Sequence, residues 1–276
     1  METVLAAVDN SSWTSVVAEY ASDLASVSGA GVLAAYVVDS RLVEGAFARL
    51  VGVDLMGGAE SEGMASLSLM LEGHGRQALD LVASVCERKQ VRCDTRIERG
   101  RPAPALAFLA PLYDLAVIGS HGSEAEFRSC LLGSTATELT RLATRPVLVV
   151  REEYRPIRRA VVGYDGSPEA TRALETVVGL ARGGRWSLTV VVAAEPAAGD
   201  TLAAQARRFR GVDDIACEVT VRTGDAFHVL LDTVDEVGAE LVAVGARGQS
   251  KLAKFLLGST SDTLLCQCPA PVMVFR

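Results

Sequence analysis

The chain has 276 residues, a net charge of −7 and a pI near 5.1, and 49 % of its residues are apolar. That length suits two domains better than one, the apolar content can fill two cores, and the acidic balance argues against nucleic acid as the main partner. No stretch approaches the roughly 18 uninterrupted apolar residues of a spanning helix, so no membrane insertion is expected.

The start, Met1-Glu2-Thr3-Val4-Leu5, has no basic segment ahead of a long apolar run. The expectation is a cytoplasmic protein without a signal peptide. Six cysteines, Cys86, Cys93, Cys130, Cys217, Cys266 and Cys268, include no CxxC pair. They are expected to be reduced and mostly buried rather than to hold a metal.

Taken in chain order, Val4–Val8 is a short apolar run rich in β-formers. Trp13 to Ser26 carries apolar residues at helical spacing after the candidate caps Ser11 and Ser12. Gly31–Val38 reads as a strand. Val43 to Gly73 holds Gly52, Gly57, Gly58 and Gly63 among acidic and small residues, and predicts a surface excursion with a mobile tip. Gln77 to Val91 and Ala103 to Leu112 read as helices, and Arg92–Ile97, Leu115–Ile118 and Val147–Val150 as strands. The second half repeats the strands as Ala160–Tyr164, Ser187–Ala194, Cys217–Arg222, Leu241–Val244 and Val272–Phe275. Such alternation predicts right-handed βαβ units and parallel sheets. The expected fold is α/β, with two tandem doubly wound five-stranded sheets.

The halves are copies. Asp9-Asn10-Ser11 matches Asp165-Gly166-Ser167, 156 residues on (165 − 9). Gly133-Ser134-Thr135 matches Gly258-Ser259-Thr260, and Pro146–Val150 matches Pro271–Phe275, both 125 residues on (258 − 133). The offset falls by 31 because the first copy carries the excursion. Arg151 to Ile157 breaks the apolar pattern, which predicts one domain over residues 1–152 and another over 157–276.

The densest chemical signal follows the run Leu241–Val244. Gly245-Ala246-Arg247-Gly248 is separated by nine residues from Gly258-Ser259-Thr260. Ligands of open α/β sheets bind beyond the carboxyl ends of strands. Glycine lets backbone approach a phosphate, and a helix beginning at Ser259 would offer free N–H groups and a positive dipole end. This is not a Walker A loop, because no G-x-x-x-x-G-K-[ST] occurs. The first copy has Gly119-Ser120-His121-Gly122, then ten residues, then Gly133-Ser134-Thr135. The added residue predicts an altered first site. Asp9 and Asp165, just past the first strand of each copy, suit ribose hydroxyls or a helix cap. Val37 and Ala193, near the ends of the second strands, suit an adenine edge or plain strand core.

These motifs resemble the universal stress protein family. Gly245, Gly248, Gly258 and Ser259 match its G-x-x-G, nine residues, G-[ST] pattern. Asp165-Gly166-Ser167 matches the Asp-Gly-Ser after its first strand, and Gly100-Arg101-Pro102-Ala103 and Gly224-Asp225-Ala226 echo its turn after the third. The resemblance covers nearly the whole chain, twice. It implies a strand order 3-2-1-4-5 and ATP beside the first and fourth strands, and Mg²⁺ is expected on the phosphate oxygens, as it usually is with nucleotides. It also implies pairing of the two domains through their last strands.

Three readings remain open on the sequence: an ATP-binding stress-response regulator, a protein that acts through an unnamed protein partner without nucleotide, and an enzyme of a related adenine-nucleotide fold. His74, His121 and His228 are scattered and no G-x-S-x-G elbow is present, so no catalytic set is expected, although slow ATP hydrolysis stays open. Whether two chains associate as a homodimer also stays open.

Overall fold

The computed structural model describes residues 1–42, 59–122, 132–151, 153–209, 211–246 and 258–276. The first half carries β1 (Thr3–Val8), α1 (Trp13–Ser28), β2 (Gly31–Asp39), α2 (Ala59–Arg88), β3 (Cys93–Gly100), α3 (Pro102–Phe108), β4 (Leu115–Gly119), α4 (Ser134–Leu142) and β5 (Val147–Val150). The second carries β6 (Arg159–Gly163), α5 (Pro168–Gly184), β7 (Ser187–Ala193), α6 (Pro196–Arg207), β8 (Cys217–Arg222), α7 (Ala226–Val237), β9 (Leu241–Gly245), α8 (Ser259–Gln267) and β10 (Val272–Phe275).

All ten strands form one sheet in the order β3-β2-β1-β4-β5-β10-β9-β6-β7-β8. Each half keeps the order 3-2-1-4-5, with parallel neighbours throughout. The halves meet where β5 and β10 pair antiparallel, with Leu148 opposite Met273. The five-stranded sheets are therefore continuous. The cause lies in the strands: both are four residues long and buried along their length. Left open, either edge would expose apolar side chains and unpaired backbone.

Because strands buried on both faces need cover on both, helices lie on either side. One core layer gathers α1 and α2 of the first half with α5 of the second, from Tyr20, Leu24 and Val82 to Leu174 and Val177. The other gathers α3 and α4 with α7 and α8, from Leu106 and Leu139 to Leu230 and Leu264. Neither layer stops at the boundary between halves.

One expectation is corrected. Residues 59–73, assigned above to the surface excursion, are the first half of the thirty-residue helix α2, and His74 sits within that helix. Gly52, Gly57 and the rest of 43–58 lie outside the described residues. Tyr154 of the connecting segment donates its hydroxyl hydrogen to Asp23 and packs edge-on against Tyr20, with ring centroids 5.0 Å apart. The connection is thus fastened to α1.

Candidate functional site

In each half the first and fourth strands are neighbours, so their carboxyl ends deliver the aspartate loop and the glycine turn side by side. In the first half, Asp9 Oδ1 accepts from the Ser11 N–H at 3.0 Å and from the Ser11 hydroxyl. The Thr14 hydroxyl donates back to the Asp9 carbonyl. These bonds stabilise the loop leading into α1. In the second half, Asp165 Oδ1 accepts from the Ser167 N–H at 2.9 Å, and Ser167 caps α5 by accepting from the Ala170 N–H at 3.2 Å. The helix cap is therefore Ser167, one of the residues after the aspartate, rather than Asp165 itself.

The glycine turns close onto the next helix in the same way twice. The Gly133 N–H donates to the Ser120 carbonyl at 2.7 Å, and the Gly258 N–H to the Ala246 carbonyl at 2.7 Å. The starts of α4 and α8, with Ser134, Thr135, Ser259 and Thr260 in their first turns, thus sit against the ends of β4 and β9. In the second half the Ser261 hydroxyl also donates to the Gly245 carbonyl at 2.7 Å. Glycine is needed at 245: a Cβ there would lie 2.9 Å from the Glu169 Cβ and 3.1 Å from the Ala170 nitrogen. Arg247 and Gly248 lie outside the described residues.

The two halves differ at this point. Trp13 occupies the position of Glu169 (169 − 13 = 156). It backs onto Gly119, whose added Cβ would lie 2.9 Å from the Trp13 Cβ, and its ring lies 5.7 Å from that of His121. The His121 Nδ1 is 3.0 Å from the Ser120 hydroxyl. A Cβ on Gly122 would fall 2.8 Å from Asp9 Oδ2. The first turn therefore lies directly over its aspartate, flanked by two aromatic rings.

Val37 and Ala193 lie in the carboxyl-terminal parts of β2 and β7, half-buried, with side chains packed into the core layer of α3, α4, α7 and α8. The structure thus brings Asp9, Gly119, His121, Gly122, Gly133, Ser134 and Thr135 to one corner. It brings Asp165, Gly245, Gly258, Ser259 and Thr260 to another, with Val37 and Ala193 one strand away from the respective aspartates. Sequence reading passed over Trp13, Glu169 and Ser261. The 156-residue offset already paired the first two, but no motif marks them.

The family model of the universal stress protein family matches residues 1–151 and again 156–276. A universal stress protein of a Synechocystis strain is 24 % identical over 292 aligned positions, covering all of both chains. One of Mycobacterium tuberculosis is 28 % identical over 237 positions, covering 74 % of this chain and 77 % of its own. The crystal structure of a universal stress protein from Archaeoglobus fulgidus superposes with a TM-score of 0.77 at 21 % identity, covering 99 % of this chain and 98 % of that one. No helix among the described residues is long and apolar enough to cross a membrane. With its sequence matched twice in tandem and its fold matched end to end, the chain belongs to the universal stress protein family.

Proposed function

We propose that the protein is an ATP-binding stress-response regulator whose second half holds the nucleotide beside β6 and β9. The observation that carries this reading is the start of α8. Gly258 is fixed on the turn after β9, and Ser261 is fixed on the carbonyl of Gly245, beside the aspartate loop. A helix N-terminus in that position offers N–H donors and the positive end of its dipole to phosphate oxygens. The residue types fit a nucleotide: glycines where backbone must come close, the hydroxyls of Ser259 and Thr260 as donors, and the Asp165 carboxylate as an acceptor for ribose hydroxyls. Arg247 and Gly248 complete the phosphate loop in this reading. Ala193 supplies backbone for the adenine edge. Mg²⁺ would bridge phosphate oxygens, as it does with nucleotides generally.

The first half suits nucleotide less well. Asp9 lies under Gly122, and Trp13 and His121 flank the turn. Occupancy of one site per chain is the expected outcome, with ATP setting the state that a partner reads. Calorimetric titration of ATP with Mg²⁺ into nucleotide-stripped protein tests this. A stoichiometry near one, abolished by Gly248→Val, supports it. Binding by Gly248→Val as tight as the parent's would remove the phosphate-loop assignment. A complete lack of ATP binding by the parent would favour a regulator that works through protein contacts alone.

A further inference from the structure

At the other end of the strands lies a groove that the nucleotide reading does not use. Its volume is about 770 Å³, and its walls come from the amino ends of β6, β7 and β8 and the last turn of α5. Arg158, Arg159, Arg182 and Arg185 line it, with Trp186 as a floor only 5 % exposed and Asp214 at the side. Two of the guanidinium groups are compensated: Arg159 Nη2 is 2.6 Å from Glu240 Oε1, and Arg182 Nη2 is 3.1 Å from Asp214 Oδ2. Arg158 and Arg185 form no ion pair with the described residues. Four cations against two carboxylates leave the groove with two positive charges in a chain whose net charge is −7.

The first half provides an internal control. At the 156-residue offset, Arg158, Arg159, Arg182 and Arg185 correspond to Glu2, Thr3, Ser26 and Gly29. The structural feature at this corner is retained without them. Asp114 accepts from the N–H groups of Glu2 and Thr3 at 2.6 and 3.2 Å, as Glu240 does from those of Arg158 and Arg159 at 3.2 and 2.8 Å. The fold therefore needs the carboxylate and not the arginines. Helix α1 ends with no basic residue in its last turn, so a cation is not needed to finish the helix either.

Arg185 adds a conformational argument. It terminates α5 in the left-handed region, with φ 56° and ψ 44°, where Gly29 terminates α1 with φ 70° and ψ 20°. Glycine adopts this conformation freely and a residue with a Cβ does so at a cost. Arg185 therefore carries a conformational cost that a glycine would avoid, while its side chain lines the groove with three other arginines.

We propose that this groove is a second ligand site, confined to the second half, for a phosphorylated small molecule carrying two or more negative charges. Planar guanidinium forks pair with phosphate oxygens two at a time. The two uncompensated charges match a phosphate monoester dianion or a pyrophosphate group, and a groove of this volume has room for the organic remainder of a ligand. It opens at the amino ends of the strands, so it can be filled independently of the nucleotide crevice at their carboxyl ends.

The test is calorimetric titration of sodium pyrophosphate into the full-length protein at low ionic strength, beside Gly248→Val, Arg185→Gly and the double variant Arg158→Gln/Arg185→Gln. The expected result is saturable binding that Gly248→Val keeps, that added sodium chloride weakens, and that the double variant weakens at least about tenfold, as the loss of charge-assisted hydrogen bonds implies. Arg185→Gly is expected to lose affinity while its melting temperature stays level or rises, which separates binding from folding. The proposal is overturned if the double variant binds pyrophosphate as the parent does, or if no binding survives in Gly248→Val.

Discussion

At the scale of single residues, two glycines in one helix have opposite meanings. Gly179 and Gly183 both lie in α5, four residues apart. A Cβ on Gly179 would meet nothing within 4 Å, so alanine there adds only helix propensity. Gly179→Ala is expected to stabilise the protein by about 1 kcal/mol. A Cβ on Gly183 would run into the backbone carbonyl of Val27, in the last turn of α1. The same propensity gain is then set against an overpacked contact between backbones that cannot rotate away, typically about 1–3 kcal/mol. Gly183→Ala is therefore expected to lower stability, despite identical chemistry one helical turn away. Urea denaturation of both variants against the parent checks the pair. Equal shifts of the same sign would mean that α1 and α5 do not touch as described. The comparison shows what a glycine in a sequence cannot reveal by itself: whether its missing side chain is a cost of the helix or the space another helix uses.

At the scale of elements, the junction of β5 with α8 ties one half to the other. Arg151 follows β5, and its Nη2 donates to the carbonyls of Leu264 and Leu265 at 3.3 and 3.0 Å, in the last turn of α8. Burial pulls the guanidinium pKa down, and its Nε has no hydrogen-bond partner among the described residues. Arg151→Met would remove that orphaned donor, a gain, but it would take the Arg151 donor from the Leu265 carbonyl and one of two from the Leu264 carbonyl, which keeps the Cys268 N–H at 2.9 Å; each such bond is worth about 0.5–1.5 kcal/mol. The net expectation is a loss of stability of about 1 kcal/mol, read as a lowered urea midpoint at unchanged slope and partly recovered by Arg151→Lys. A neutral Arg151→Met would show that water serves those carbonyls as well. The inner strands were legible from the sequence because buried parallel strands are nearly continuous apolar runs, whereas the edge strands β3 and β8, with no buried residue, were placed by the alternation of elements. Helix α2 was legible only from Gln77 onward. Its first part, Ala59 to Gly73, is acidic, small and glycine-bearing, so local composition hid a helix that packing on α1 and β2 supports. The aspartate loops and glycine turns stood out because each is a short contiguous motif. Trp13 against His121 did not, because 108 residues separate them (121 − 13), and neither did the four arginines of the groove, because they stand at the start of β6 and the end of α5 with no contiguous motif and only folding of that βα unit brings them together.

At the scale of the whole molecule, the question is whether two sequence copies behave as two domains. Separate domains would give two unfolding transitions, or one whose calorimetric enthalpy exceeds the van't Hoff value. Three features oppose independence. The sheet runs through the β5–β10 pair, so unfolding either half would expose the buried edge of the other. Both core layers include residues of both halves. The connecting segment is fastened to α1 through Tyr154 and through the Arg155 N–H, which donates to the Tyr20 hydroxyl at 3.1 Å. A single cooperative transition is therefore expected in differential scanning calorimetry, with an enthalpy ratio of about one. Gly183→Leu, which places bulk in the α1–α5 contact between halves, is expected to split or broaden it. If ATP binds in the second half as proposed, it should raise the melting of the entire parent protein, since a ligand stabilises whatever unfolds cooperatively with its site. In the variant it should raise only the second half's transition. If the parent already shows two transitions and ATP shifts one of them, the shared sheet transmits little between copies, and occupancy in the second half would have to be read by a partner bound to that half.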